Sequence, residues 1–140
     1  MFFGLHEALL MLDEEGLEGV FQRHKRNATA VRAAINHWGK SGALELLSLD
    51  PQEHSNSISA VLFTEVCDVT NFRSVCRERY SVALAAGLDR LSDKVFRIGH
   101  LGDLNEPMIL GTLAAIEMTL KTEKIPYNAG GVEAAIESMV

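Results

Sequence analysis

Leu17, Val20, Phe21, His24, Ala28, Val31 and Ile35 recur at steps of three and four residues. That spacing lines one face of an α-helix. Glu18, Gln22, Lys25, Arg32 and Asn36 occupy the other face. The pattern predicts a single helix from Leu17 to Trp38. At about 1.5 Å per residue it spans roughly 33 Å, enough to cross a whole small domain. Everything else in a chain of 140 residues has to be arranged around such a rod. Gly39 is placed to end it as a left-handed cap.

Short pieces follow. Ala43–Leu49 predicts a first strand, stopped by Asp50-Pro51, and Gln52–Ser57 a polar loop. Ile58–Thr64 is strongly apolar and predicts a central strand. Thr70 is placed to cap a helix from Asn71 to about Tyr80, with Phe72, Val75 and Cys76 inward. Val82–Ala86 and Val95–Gly99 predict two more short strands. Asn105 is an N-cap and Pro107 suits the first turn of a last long helix. Its stripe is Ile109, Leu110, Leu113, Ile116 and Leu120. Val132–Met139 predicts a short terminal helix. The order α, α, β, β, α, β, β, α, α with short connections predicts an α+β fold. It is a small, mostly antiparallel sheet of three to five strands with helices packed on one face.

Composition narrows the function classes. A chain of this length is one domain, residues 1–140, and can bury a sizeable core. The net charge of −6 argues against a nucleic-acid partner. The run Arg23-His24-Lys25-Arg26 lies within the helical pattern and is read as a solvated face. No apolar run is long enough for a membrane helix. Cys67 and Cys76 form no CxxC pair, and the five histidines complete no metal-ligand pattern. Reduced thiols without a secretory signal predict a cytoplasmic protein.

The stretch Lys94-Val95-Phe96-Arg97-Ile98-Gly99-His100-Leu101-Gly102-Asp103-Leu104-Asn105 carries the chemistry. It predicts a buried strand, a glycine-rich bend and a helix start, with one arginine inside the strand. A guanidinium there needs an anion. Its planar fork suits a carboxylate or phosphate, and the residues alone leave open a protein carboxylate or a ligand. His100 either contacts a ligand or fastens the bend. Gly99 and Gly102 provide positive φ or close backbone approach, and Gly130-Gly131 a helix-start hinge.

Val95–Asn105 also resembles the C-terminal region of class V (fold type I) pyridoxal-phosphate aminotransferases, closest to the serine–glyoxylate and alanine–glyoxylate branch. Phe2-Phe3-Gly4-Leu5-His6-Glu7-Ala8-Leu9 resembles the helix after the large domain there. Glu14-Glu15-Gly16-Leu17-Glu18 with Arg23-His24 resembles the following turn and long helix. Gly130-Gly131-Val132-Glu133-Ala134-Ala135-Ile136 is similar to the tail of bacterial members. The resemblance implies the small C-terminal domain of an enzyme that moves an amino group from serine or alanine to glyoxylate or a similar 2-oxo acid. It implies Arg97 as the residue that binds the substrate carboxylate and pyridoxal 5'-phosphate as cofactor of the complete enzyme; His100, from its place after the strand, is the second substrate-binding candidate. It further implies a large cofactor-binding domain and a homodimer as partners.

Such an enzyme needs a Schiff-base lysine and an acidic partner for the pyridine nitrogen, which the resemblance puts in the large domain. Lys25, Lys40, Lys94, Lys121 and Lys124 all lie in settings of surface amines. No covalent cofactor and no activity are therefore expected of this chain alone. Met1-Phe2-Phe3-Gly4-Leu5 is apolar from the first residue, so residues 1–15 are expected to form a helix packed on a missing large domain or a partner chain. The competing expectation is a non-catalytic amino-acid-binding or dimerisation module.

Overall fold

A computed structural model describes residues 2–140. Two helices come first: α1 (Phe2–Glu15) and α2 (Leu17–Trp38), separated by Gly16 at φ +76°. Then come β1 (Leu44–Leu46), β2 (Ile58–Phe63), α3 (Val69–Tyr80), β3 (Ala85–Ala86), β4 (Val95–Gly99), α4 (Glu106–Thr122) and α5 (Gly131–Glu137). The four strands form one antiparallel sheet in the order β1-β2-β4-β3. The α+β class, the strand number and the antiparallel pairing follow the sequence reading.

The sheet has one covered face. In an antiparallel pair, residues directly opposite point to the same side. Leu44 faces Phe63, Leu46 faces Val61, Val61 faces Phe96 and Ser59 faces Ile98. All of these are buried, under α2 on the β1–β2 side and α3 on the β3–β4 side. Phe63, Phe72 and Phe96 meet with centroids 5.1 to 5.5 Å apart, a spacing that favours tilted and edge-on aromatic pairs. α4 joins this core through Ile109, Leu113, Ile116 and Leu120, and α5 lies against α2 and α4.

Several boundaries differ from the sequence reading. The first strand shrinks from Ala43–Leu49 to three residues and the third from Val82–Ala86 to two, with single backbone hydrogen bonds at Ala43, Leu47 and Gly87 continuing the pairing just beyond them. The third helix is capped by Asp68, whose carboxylate accepts from Asn71 N–H at 2.8 Å, and not by Thr70. Gly39 is right-handed at φ −67°, and the left-handed residue is Gly42 at +88°. Gly39 is needed for space, since a Cβ there would lie 2.6 Å from the Leu44 carbonyl oxygen. β2 alternates buried and half-buried residues, so it is central but covered on one side only. Leu17 and Phe21 belong to the apolar stripe of α2 yet remain largely exposed.

Candidate carboxylate-binding site

Arg97 stands in the middle of β4 on the uncovered face of the sheet. It lies directly between Ala60 on β2 and Ala85 on β3. A single methyl side chain on each side leaves the guanidinium unobstructed, where larger neighbours at the usual cross-strand spacing would crowd it. Arg97 is half-buried. Its Nε donates to the Ala86 carbonyl at 2.7 Å, and among the described residues no carboxylate pairs with it. The two Nη groups therefore have no protein acceptor among those residues. An arginine fixed at Nε with a free Nη pair presents a two-pronged cationic fork.

His100 follows at the end of β4, on the other side of the backbone. It is fully buried. Its Nδ1–H donates to the Asn56 carbonyl at 3.0 Å, and its Nε2 lies 3.0 Å from Ser59 Oγ. Burial pushes its pKa down, the Asn56 carbonyl pulls the other way, and the Arg32 charge adds to the depression. A neutral imidazole with both nitrogens occupied ties the end of β4 to the loop before β2. In this domain it offers no free nitrogen to a ligand beside Arg97.

The bend after β4 uses Gly102 at φ +110°, whereas Gly99 has ordinary negative φ. Asn105 caps α4, its Oδ1 accepting from Met108 N–H at 3.0 Å, as its spacing predicts. The partners that build this end of the sheet, Asn56, Ser59 and the Ala86 carbonyl, were not legible in the sequence. Backbone carbonyls carry no residue signature, and Ser59 lies 41 positions from the histidine it holds.

The remaining chemistry of the chain lies elsewhere. All five lysines are exposed, unlike an amine held in an apolar site with a lowered pKa. Lys124 borders a hollow with Glu65, Asp68 and Glu123, a setting that repels a phosphate. No group of three or more His, Cys, Asp and Glu among the described residues could hold a metal. No helix among the described residues is long and apolar enough to cross a membrane.

No protein-family model matches the chain, but individual relatives do. It is 40% identical over 138 residues to a serine–glyoxylate aminotransferase of Methylorubrum extorquens, covering 99% of this chain and 33% of that protein. An L-aspartate–glyoxylate aminotransferase of Paracoccus denitrificans is 41% identical over 135 residues, covering 96% and 33%. The crystal structure of pyridoxamine–pyruvate aminotransferase from Mesorhizobium loti superposes with a TM-score of 0.89 at 28% identity, over 97% of this chain and 34% of that one. The chain thus spans about a third of the length of the relatives it matches. Agreement of sequence and fold along nearly its whole length places the chain in the class V pyridoxal-phosphate aminotransferases, as their C-terminal small domain.

Proposed function

We propose that the chain is the substrate-side domain of an aminotransferase that moves an amino group from serine or alanine to glyoxylate or a similar 2-oxo acid. The observation that carries this reading is the Arg97 fork. A guanidinium on an open sheet face, fixed at Nε and free at both Nη groups, matches the α-carboxylate that every such substrate bears. With Nε committed to Ala86, the grip is end-on through Nη1 and Nη2. Glyoxylate in the names of the relatives supports it as the acceptor.

The work of this chain in the reaction is binding and orientation. Holding the carboxylate in two parallel hydrogen bonds fixes the rotation of the amino acid, and correct orientation contributes several kcal/mol to such reactions. Pyridoxal phosphate, when bound to the rest of the enzyme, supplies the electron sink. His100 contributes by fixing the end of the arginine strand. The complete protein is read as a cytoplasmic homodimer in which α1 packs on the large domain. This chain alone is expected to be inactive.

The test is kinetic, on the full-length enzyme with serine and glyoxylate. Arg97→Ala is expected to lower kcat/KM by roughly two orders of magnitude, comparable to the loss of a charged hydrogen-bonded pair. Arg97→Lys is expected to recover little, because an ammonium cannot reproduce the fork. A full-length protein with no transaminase activity on any 2-amino acid would instead favour the amino-acid-binding module.

A further inference from the structure

The first third of α2 holds the turn between β4 and α4. His24 is buried and its Nδ1–H donates to the Val20 carbonyl at 2.8 Å. That leaves Nε2 as a lone pair, which accepts the Gly102 N–H at 2.9 Å. Arg23 Nη1 donates to the Gly102 carbonyl. One helical turn on, buried Asn27 donates to the Leu104 carbonyl at 3.1 Å. Both polar backbone groups of the residue with the freest backbone in this turn are therefore held by adjacent side chains of one helix.

The same guanidinium holds α1. Arg23 Nε and Nη2 take both carboxylate oxygens of Glu15, at 2.7 and 2.6 Å. The pairing pulls the Glu15 pKa down and the Arg23 pKa up. Glu15 is the last residue of α1, a helix that buries no side chain. Among the described residues this pair is the only side-chain hydrogen bonding α1 makes. Gly16, the link to α2, has nothing within 4 Å of where a side chain would start. The seat of α1 and the turn that follows the arginine strand thus share one residue.

We propose that Arg23 is a positioning residue that couples the placement of α1 to the Gly102 turn, and through β4 to the grip of Arg97 on a carboxylate. The proposal rests on the carboxylate reading of Arg97. Arg23 touches no reacting group; it acts through Gly102. Four residues separate that glycine from Arg97, and His100 among them is already fixed by Asn56 and Ser59. Releasing Gly102 frees the outer end of this segment, which loosens the fork without removing it.

The experiment measures kcat and KM for serine in the full-length enzyme carrying Glu15→Gln, Arg23→Gln, both together, Arg23→Lys and, as a reference, Arg97→Ala. Glu15→Gln and Arg23→Gln are each expected to raise KM roughly three- to tenfold with kcat within about twofold. The double variant should resemble the single ones, since either change breaks the same link. Arg23→Lys should behave like Arg23→Gln, because an ammonium keeps the charge but not the simultaneous hold on Glu15 and Gly102. Glu15→Gln carries the test if the Arg23 variants fold poorly. The coupling is overturned if Arg97→Ala raises KM while Glu15→Gln leaves it unchanged, if the two effects simply add, or if Arg23→Lys restores wild-type KM. A kcat/KM for serine that Arg97→Ala does not lower overturns the carboxylate reading, and the coupling with it.

Discussion

Arg97 gives one of its five donors to a backbone carbonyl, and its remaining donors lie on the two Nη groups. Small neighbours matter as much as the charge. Ala85→Leu or Ala60→Leu would place a branched side chain beside the guanidinium at cross-strand distance. Either is expected to weaken carboxylate binding by roughly tenfold while costing the fold less than about 1.5 kcal/mol. Isothermal titration of the full-length enzyme with a dicarboxylate or amino-acid inhibitor, beside a urea melt, checks both halves. His100 makes a separate prediction. Its pKa is depressed in the folded state, mainly by burial. Below about pH 6.5 the unfolded chain takes up a proton that the folded chain resists. Stability should therefore fall as pH drops from 7.5 to 5.5, and the fall should shrink in His100→Gln, measured as urea midpoints. The arginine was legible in the sequence because a lone guanidinium inside an apolar strand is costly to leave unexplained. The histidine was not assignable, because its partners at Asn56 and Ser59 come from a distant loop and strand. Arg23 and His24 looked like part of a solvated face for the same reason: their shared target, Gly102, lies 79 and 78 positions away.

Glycine placement decides how the last helix docks. Gly131 opens α5 directly against the indole of Trp38, where an added Cβ would stand 2.1 Å from Nε1. The indole N–H donates to Glu117 at 3.0 Å, and the same carboxylate accepts the N–H groups of Gly130 and Val132 at 2.8 and 3.1 Å. Gly131→Ala is expected to cost about 2 kcal/mol or more, an overpacking penalty, read from the thermal midpoint. Burial by itself would raise the Glu117 pKa, but the donors from Gly130, Trp38, Val132 and Gly131 together outweigh it and hold the carboxyl low. A depressed carboxylate stabilises the fold above its unfolded pKa, near 4.3, and that support is lost as pH falls through the lower folded value. Acidification below about pH 4 should then release α5, seen as a red shift in the emission of the single tryptophan. Glu117→Gln should show the shifted emission already at neutral pH. The bounds of α2, Leu17–Trp38, were legible to the residue, and so was the start of α4 after Asn105. The short edge strands were not, because β1 and β3 exist only where β2 and β4 offer hydrogen bonds.

Across the whole molecule, apolar surface is unevenly spent. Phe2 and Phe3 are 84% and 90% exposed, and Leu5, Leu9, Leu17, Phe21 and Leu101 also lie open. Leu12, Val20, Phe21 and Leu101 border an apolar hollow over His24. Contiguous exposed apolar surface of this kind marks an interface. We propose that the large domain covers it. Leu5→Asp with Leu9→Asp should leave the thermal stability of the isolated chain within about 0.5 kcal/mol, as for exposed sites generally. In the full-length enzyme the same pair should lower the thermal midpoint clearly. The central claim remains that Arg97 answers a substrate carboxylate, and it is tested most directly by matched amines that differ only in that group. The single-turnover reaction of the full-length enzyme with serine and with ethanolamine should be compared for wild type and Arg97→Ala. Arg97→Ala should slow the reaction with serine by roughly two orders of magnitude at low substrate and leave ethanolamine nearly unchanged. An equal loss for both amines would contradict the claim, because the arginine would then be serving something other than the carboxylate.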